Sequence, residues 1–223
     1  RGQIGDRAGV GLGIDAGGTY TDAVIYDFAA GGVLSKAKAL TTHHDPLIGI
    51  NEALDALEQG LLERVGLVAL STTHATNAIV EDRGGQPGCV IMPHGGFDED
   101  RVLWPHRALL NARMSIGGEE LEPFDEKNCR QAVRELLAAG VDAFAVSGYG
   151  STRNPDHELA ARRVIADECD LPVVCGHQLS AKLNFLSRAN TAALNARLLP
   201  IIDRLLGAAQ QTLTDRGIEA PLM

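Results

Sequence analysis

Gly13-Ile14-Asp15-Ala16-Gly17-Gly18-Thr19-Tyr20-Thr21-Asp22 is the stretch that decides how this chain folds. An apolar run over 10–14 ends in Asp15, two glycines interrupt it, and a second apolar run over 23–26 follows at once. The pattern predicts strand, tight turn, strand. Glycines at 17 and 18 can take positive φ and put no side chain between backbone N–H groups and an anion, while Thr19 and Thr21 place hydroxyls beside them. The turn is therefore a candidate phosphate cradle, with Asp15 placed to order a hydrated divalent cation. A plain Gly-Gly hairpin with a surface aspartate is the alternative, and the neighbours Asp15, Thr21 and Asp22 weigh against it. No Gly-x-x-x-x-Gly-Lys-Ser/Thr occurs, and Gly9, Gly11 and Gly13 open no helix, so the commonest helix-based phosphate motifs are excluded.

Working outward, residues 10–15, 22–27 and 33–40 read as three hairpin-linked strands. Asp45-Pro46 then opens a helix with Leu47, Ile50, Leu54 and Leu57 at helical spacing, followed by a buried strand over 67–70. Further on, helices are predicted over 73–81, 125–139 (stopped by Gly140) and 155–168, and strands over 88–92, 143–146 and 172–175. Residues 94–124, which hold the only tryptophan, Trp104, read as loops with short strands. A long helical pattern over 186–214 contains Pro200, which is expected to kink or split it. Three antiparallel strands followed by helix and strand in alternation imply an α/β fold. The expectation is a ribonuclease H-like mixed sheet flanked by helices, the plan used by actin-like ATPases and sugar kinases.

Bulk composition narrows the function. The 223 residues are 45% apolar and carry 20 Lys and Arg against 29 acidic residues, a net charge of −9. That excludes a general affinity for nucleic acid or an anionic membrane, so any anion binds locally. A nuclease of the same plan would also need further carboxylates for two metals and a basic groove. Cys89, Cys129, Cys169 and Cys175 form no CxxC pair, which predicts buried free thiols in a reducing cytosol and no zinc site. No apolar run approaches the roughly 18 residues that span a bilayer. Residues 1–9 lack a signal peptide's apolar core, so a cytoplasmic setting is expected. His43-His44 has no third ligand nearby and reads as solvated. The chain begins with Arg rather than Met and stops at Ala220-Pro221-Leu222-Met223 as a new apolar segment starts, which suggests a fragment.

Two more polar clusters stand at strand-to-helix transitions. In Ser71-Thr72-Thr73-His74-Ala75-Thr76-Asn77-Ala78, the hydroxyls of Thr72 and Thr73 either cap the helix or face an anion or substrate carbonyl. In Asn154-Pro155-Asp156-His157-Glu158, capping accounts for Asn154 and Pro155. His157 and Glu158 belong either to a solvated first turn or to a catalytic contact.

GIDAGGTYTD, STTHATNAIVE, NPDHE and NFLSRANTAALNARLLP, in this order and at these separations, resemble the N-terminal half of the hydantoinase A / 5-oxoprolinase family, which also includes acetone carboxylase beta subunits. The resemblance covers nearly the whole chain. It implies an ATP- and Mg2+-dependent enzyme that activates a cyclic amide carbonyl before opening a hydantoin or 5-oxoproline ring. Carried over by position, Asp15 orders the magnesium and serves catalysis, and Gly17, Gly18, Thr19 and Thr21 hold phosphates. Thr72, Thr73, Thr76 and Asn77 line the cleft, Thr72 and Thr76 on the cofactor side and Thr73 and Asn77 on the catalytic side. His157 and Glu158 are implied as contacts to substrate or metal. Tyr20 stands where the family usually has Phe, and His74 fills a variable position from which it can donate to substrate. The resemblance further implies a first domain over 1–176 and the helical start of the next over 177–223. The second phosphate loop and adenosine pocket would lie on the C-terminal half of the same polypeptide, and a hydantoinase B-type subunit is an implied partner. Two alternatives stay open: a ketone carboxylase beta-type subunit, and a non-catalytic actin-like activase switched by nucleotide.

Overall fold

The computed structural model describes residues 9–42, 45–81 and 83–223, so His43 and His44 lie outside the described residues, as does the side chain of His74. Two compact units emerge, one built from residues 1–83 with 201–223 and the other from 84–200.

The first unit opens with β1 (Val10–Ala16), β2 (Tyr20–Asp27) and β3 (Gly32–Leu40), an antiparallel meander. Alternation sends Val10, Leu12, Ile14 and Ala16 of β1, with Ala23 and Ile25 of β2, to one buried face. Helix α1 (Pro46–Asp55) covers that face with Ile50, Ala53 and Leu54. It starts where the sequence directs: the Asp45 carboxylate accepts the Leu47 N–H at 2.9 Å, and Pro46 occupies the first turn. A short α2 (Gln59–Leu62) leads into β4 (Val65–Thr72), which runs parallel to β1, giving the order β3-β2-β1-β4. Helix α3 (His74–Val80) follows. This is the expected ribonuclease H-like mixed sheet, and the chain's last residues extend it: Leu222 bridges Val68 in parallel, and the Leu70 N–H donates to the Met223 carbonyl at 2.9 Å.

The second unit holds β5 (Pro87–Met92), β6 (Arg107–Leu109), the small antiparallel pair β7 (Arg113–Met114) and β8 (Glu120–Glu122), α4 (Glu126–Ala138), β9 (Ala143–Gly148), α5 (Asp156–Glu168), β10 (Val173–Cys175) and α6 (Gly176–Leu179). Helix–strand alternation does not lengthen the first sheet. It builds a second sheet, all parallel, in the order β10-β9-β5-β6. Every residue of β5 and β9 is buried, as a parallel sheet covered on both faces requires. One face packs on Cys129 and Val133 of α4 and on Val164 and Ile165 of α5, the other on Phe185, Ala192, Ala193 and Ala196.

Those last residues open α7 (Phe185–Asp215), which runs through Pro200, so of the kink or split expected there the split does not occur. A proline inside a helix costs about 3 kcal/mol. Both arms of α7 are anchored, by the alanines just named on one side and by Leu205, Ala209 and Leu213 in the first unit's core on the other. Burial on each side of the proline offsets the lost backbone bond. Residues 177–200 belong to the second unit and 201–223 to the first. No described helix is long and apolar enough to cross a membrane.

Candidate functional site

The candidate site lies in the first unit, at the carboxyl ends of β1 and β4. Parallel pairing places Ser71 opposite Asp15, and antiparallel pairing places Asp22 opposite Asp15 and Lys38 opposite Asp22. Paired residues share a face, so Lys38, Asp22, Asp15 and Ser71 form one polar row across the sheet. Two carboxylates facing each other repel, and the flanking residues relieve them. Lys38 Nζ lies 3.1 Å from Asp22 Oδ1, and the Ser71 hydroxyl donates to Asp15 Oδ1 at 2.7 Å. Asp15 is exposed, and its Oδ2 has no hydrogen-bond partner among the described residues. The row borders an open groove of about 690 Å3 with Val24 and Ala69 in its lining.

The glycine turn has the close approach its sequence suggests but not the expected dihedrals. Neither Gly17 nor Gly18 adopts positive φ. What excludes a side chain is space: a Cβ on Gly17 would sit 2.8 Å from the Tyr20 carbonyl oxygen, and one on Gly18 would collide with the Asn77 carboxamide nitrogen. The Gly17 N–H already donates to the Tyr20 carbonyl at 3.0 Å, so it closes the hairpin rather than facing outward. Thr19 is exposed at the tip. Thr21 is buried on the opposite side, where its hydroxyl lies 3.1 Å from that of Thr41, which in turn donates to the Gly17 carbonyl at 2.8 Å.

The second motif meets the first here. Thr72 donates to the Ala16 carbonyl at 2.9 Å, tying β4 to the end of β1. Thr73 occupies the N-cap position of α3 without a side-chain capping bond, and Thr73 and Thr76 are exposed. Asn77, half-buried, reaches Gly18. Asp15, Gly17, Gly18, Thr19, Thr72, Thr73, Thr76 and Asn77 thus gather at one end of one sheet. Ser71 and Thr41 were missed as contributors, although pairing the apolar run before Asp15 with the run before Ser71 would have found the serine.

His157 and Glu158 belong to the other unit, and neither sits in a solvated turn. His157 is 4% exposed with Nε2 2.8 Å from Glu120 Oε1, and Glu158 is fully buried. Glu158 Oε1 accepts the Gly148 N–H at 2.8 Å, and Oε2 accepts the His177 N–H at 3.0 Å and lies 2.6 Å from His177 Nδ1. Beside them Arg188, 2% exposed, donates to the carbonyls of Lys182 and Gly148 and to the Ser151 hydroxyl. Burial pulls the Arg188 guanidinium below its ordinary pKa, and the Glu158 charge opposes that pull. Burial overrides the polar look of the NPDHE motif because Glu120 and His177, distant in sequence, fold over it.

Comparison with known proteins identifies the family and the fold. The pattern of the hydantoinase/oxoprolinase N-terminal region matches residues 11–169, spanning the glycine turn and the motifs at 71–78 and 154–158. The chain is 29% identical over 239 residues to the caprolactamase subunit alpha of Pseudomonas jessenii, covering 94% of this chain and 34% of that one. It is 29% identical over 244 residues to the acetophenone carboxylase gamma subunit of Aromatoleum aromaticum, covering 92% and 33%. The crystal structure of the ATP-dependent caprolactamase from Pseudomonas jessenii shares its fold, with a TM-score of 0.73 at 28% identity over 95% of this chain and 34% of that one. The chain spans about a third of the length of the curated relatives it matches.

Proposed function

This chain belongs to the hydantoinase/oxoprolinase family through its N-terminal region, and on that premise we propose that its glycine turn is one wall of an ATP·Mg2+ site in an enzyme that opens a cyclic amide of the hydantoin or 5-oxoproline type. The observation that carries this reading is the convergence of the Asp15–Ser71 pair with the Gly18–Asn77 contact at the ends of two parallel strands. The residues fit the ligand: a cradle that any Cβ would fill, an exposed hydroxyl at Thr19, and a carboxylate with one oxygen uncommitted.

In this reading Ser71 orients Asp15, whose second oxygen holds a hydrated magnesium, and Gly18 and Thr19 lie against phosphate. Thr72 and Thr41 keep the turn in register from outside it. Thr76 lies on the cofactor side, and Thr73 and Asn77 face the reacting end, where Asn77 donates to a phosphoryl or carbonyl oxygen. When bound, ATP supplies a phosphoryl group for the carbonyl oxygen, which makes the amide carbon open to water. Residues 1–176 would be the family's first domain and 177–223 the start of the next. The opposite wall of the site would come from the C-terminal half of the same polypeptide, and a hydantoinase B-type subunit would complete a cytoplasmic assembly.

A second reading is supported by the equal identity to acetophenone carboxylase gamma subunit: the same site would serve ATP-dependent ketone carboxylation. Ring-opened product from hydantoins or 5-oxoproline selects the first reading, and bicarbonate-dependent ATP turnover with ketones selects the second. Both need the nucleotide site. In the complete protein, Asp15→Ala and Thr19→Ala should each weaken ATP binding at least about tenfold, the loss of one charge-assisted contact. Unchanged ATP affinity in both variants would remove the phosphate-turn assignment.

A further inference from the structure

We propose that Glu158, Cys175 and His177 form a metal site of the zinc class. One carboxylate oxygen, the thiol sulfur and an imidazole nitrogen lie within 4.8 Å of one another. The fold delivers them from three elements: α5 carries Glu158 in its first turn, β10 ends at Cys175, and α6 carries His177. Gly176 lets them close up, for a Cβ there would stand 3.4 Å from Glu158 Oε1 and 3.1 Å from the Ser147 hydroxyl.

The donor set selects the ion. Thiolate, imidazole and carboxylate together suit zinc or a similar borderline-soft dication, whereas magnesium and calcium take oxygen ligands. Three protein ligands leave a fourth position for water. A second, independent feature points the same way. The Ser147 hydroxyl, which with Glu158 Oε1 flanks Gly176, is buried with no hydrogen-bond partner among the described residues, and a buried orphan of this kind is uncommon. A water on the ion would satisfy it.

Arg188 does not occupy the carboxylate: its bonds go to Lys182, Gly148 and Ser151. The 2.6 Å contact between His177 Nδ1 and Glu158 Oε2 has to open for an ion to enter. His177 sits on a four-residue helix with its side chain 18% exposed, so it is both the ligand able to move and the way in. On binding, the S–H bond breaks, a sulfur–metal bond forms and the proton leaves to solvent. Sequence spacing hides the site, because Glu158 is 17 residues before the Cys-x-His pair and no CxxC marks it.

The test uses the 223-residue chain, stripped with chelator and titrated with Co2+ in the absence of nucleotide, so it does not depend on the ATP reading. One cobalt per chain should bind, with a near-ultraviolet thiolate-to-cobalt charge-transfer absorption and proton release, and Zn2+ should displace it. Cys175→Ser, with its fold verified by circular dichroism, should lose the charge-transfer absorption. His177→Gln changes a partly exposed side chain, so it should fold whether or not Cys175→Ser does, and it should weaken cobalt binding by at least about tenfold. Failure of the folded chain to bind cobalt, an absorption that survives Cys175→Ser, or unchanged affinity in His177→Gln would each overturn the site.

Discussion

The Asn77 carboxamide fills the space that a side chain on Gly18 would need. Next door, the space beside Gly17 is filled by the Tyr20 carbonyl, which is backbone. The two glycines therefore answer substitution differently. A side-chain amide can swing to another rotamer, so Gly18→Ala should cost under about 1 kcal/mol in stability while displacing Asn77. Gly17→Ala presses on a strand and should cost about 1–3 kcal/mol. Thermal unfolding of the isolated chain measures both. In the complete protein Gly18→Ala should lower ATP affinity despite its mild stability cost. Equal destabilisation by the two variants would contradict the packing difference.

Glu158 and Arg188 hold the same residue by its two adjacent peptide groups: Gly148 gives its N–H to the carboxylate, and its carbonyl accepts from the guanidinium, each at 2.8 Å. Arg188→Met removes three hydrogen bonds at a buried site and a positive charge that senses Glu158, and should cost about 3–5 kcal/mol. Adding Glu158→Gln removes the Glu158 charge and should restore part of the loss. Urea unfolding of the single and double variants measures the coupling, and strict additivity would argue that the two charges do not sense one another.

Legibility in the sequence followed the range of the interaction. The alternation in 10–27 fixed the hairpin and its buried face, and Asp45-Pro46 and Asp125 marked helix starts that the structure reproduces with capping bonds. Pairing across sequence distance was legible only by matching apolar runs to one another, not from local signals. Nothing local places Ser71 on Asp15, 56 residues away, or reveals that Thr21 turns inward to Thr41. His157 and Glu158 read as either a solvated first turn or a catalytic contact because their partners, Glu120 and His177, come from stretches without periodicity. Pro200 read as a kink or a split because a helix anchored by a separate core on each side leaves no local signal.

Glu168 should report on acid sensitivity in the second unit. Arg134 and Arg130 hold its carboxylate down to about 2, from an ordinary value of 4.5. A depressed folded pKa contributes stability that is complete above the unfolded value and is lost as pH falls through the folded one. Wild type should therefore exceed Glu168→Gln in stability near neutrality, and the gap should shrink between pH 4.5 and about 2. Because Arg134 is largely exposed, the gap should also narrow in high salt. A gap independent of pH would show that packing, not charge, holds α4 to α5 at this point.

The four cysteines should separate by reactivity. The nucleophile is the thiolate, and burial pushes Cys89 up to about 12 and Cys129 and Cys175 up to about 11. Cys169 is the exception in position: only partly buried, at the end of α5, with its sulfur 3.6 Å from the Ile165 carbonyl. At pH 8 a thiol with a pKa near 11 is about one part in a thousand thiolate. Under native conditions one thiol per chain should react quickly with a disulfide reagent, and peptide mapping should place it at Cys169. The other three should react only at the rate of opening, and all four quickly in denaturant. Fast labelling of Cys89 or Cys129 in the native chain would mean that the second unit's sheet opens readily, since those two thiols lie on its opposite faces.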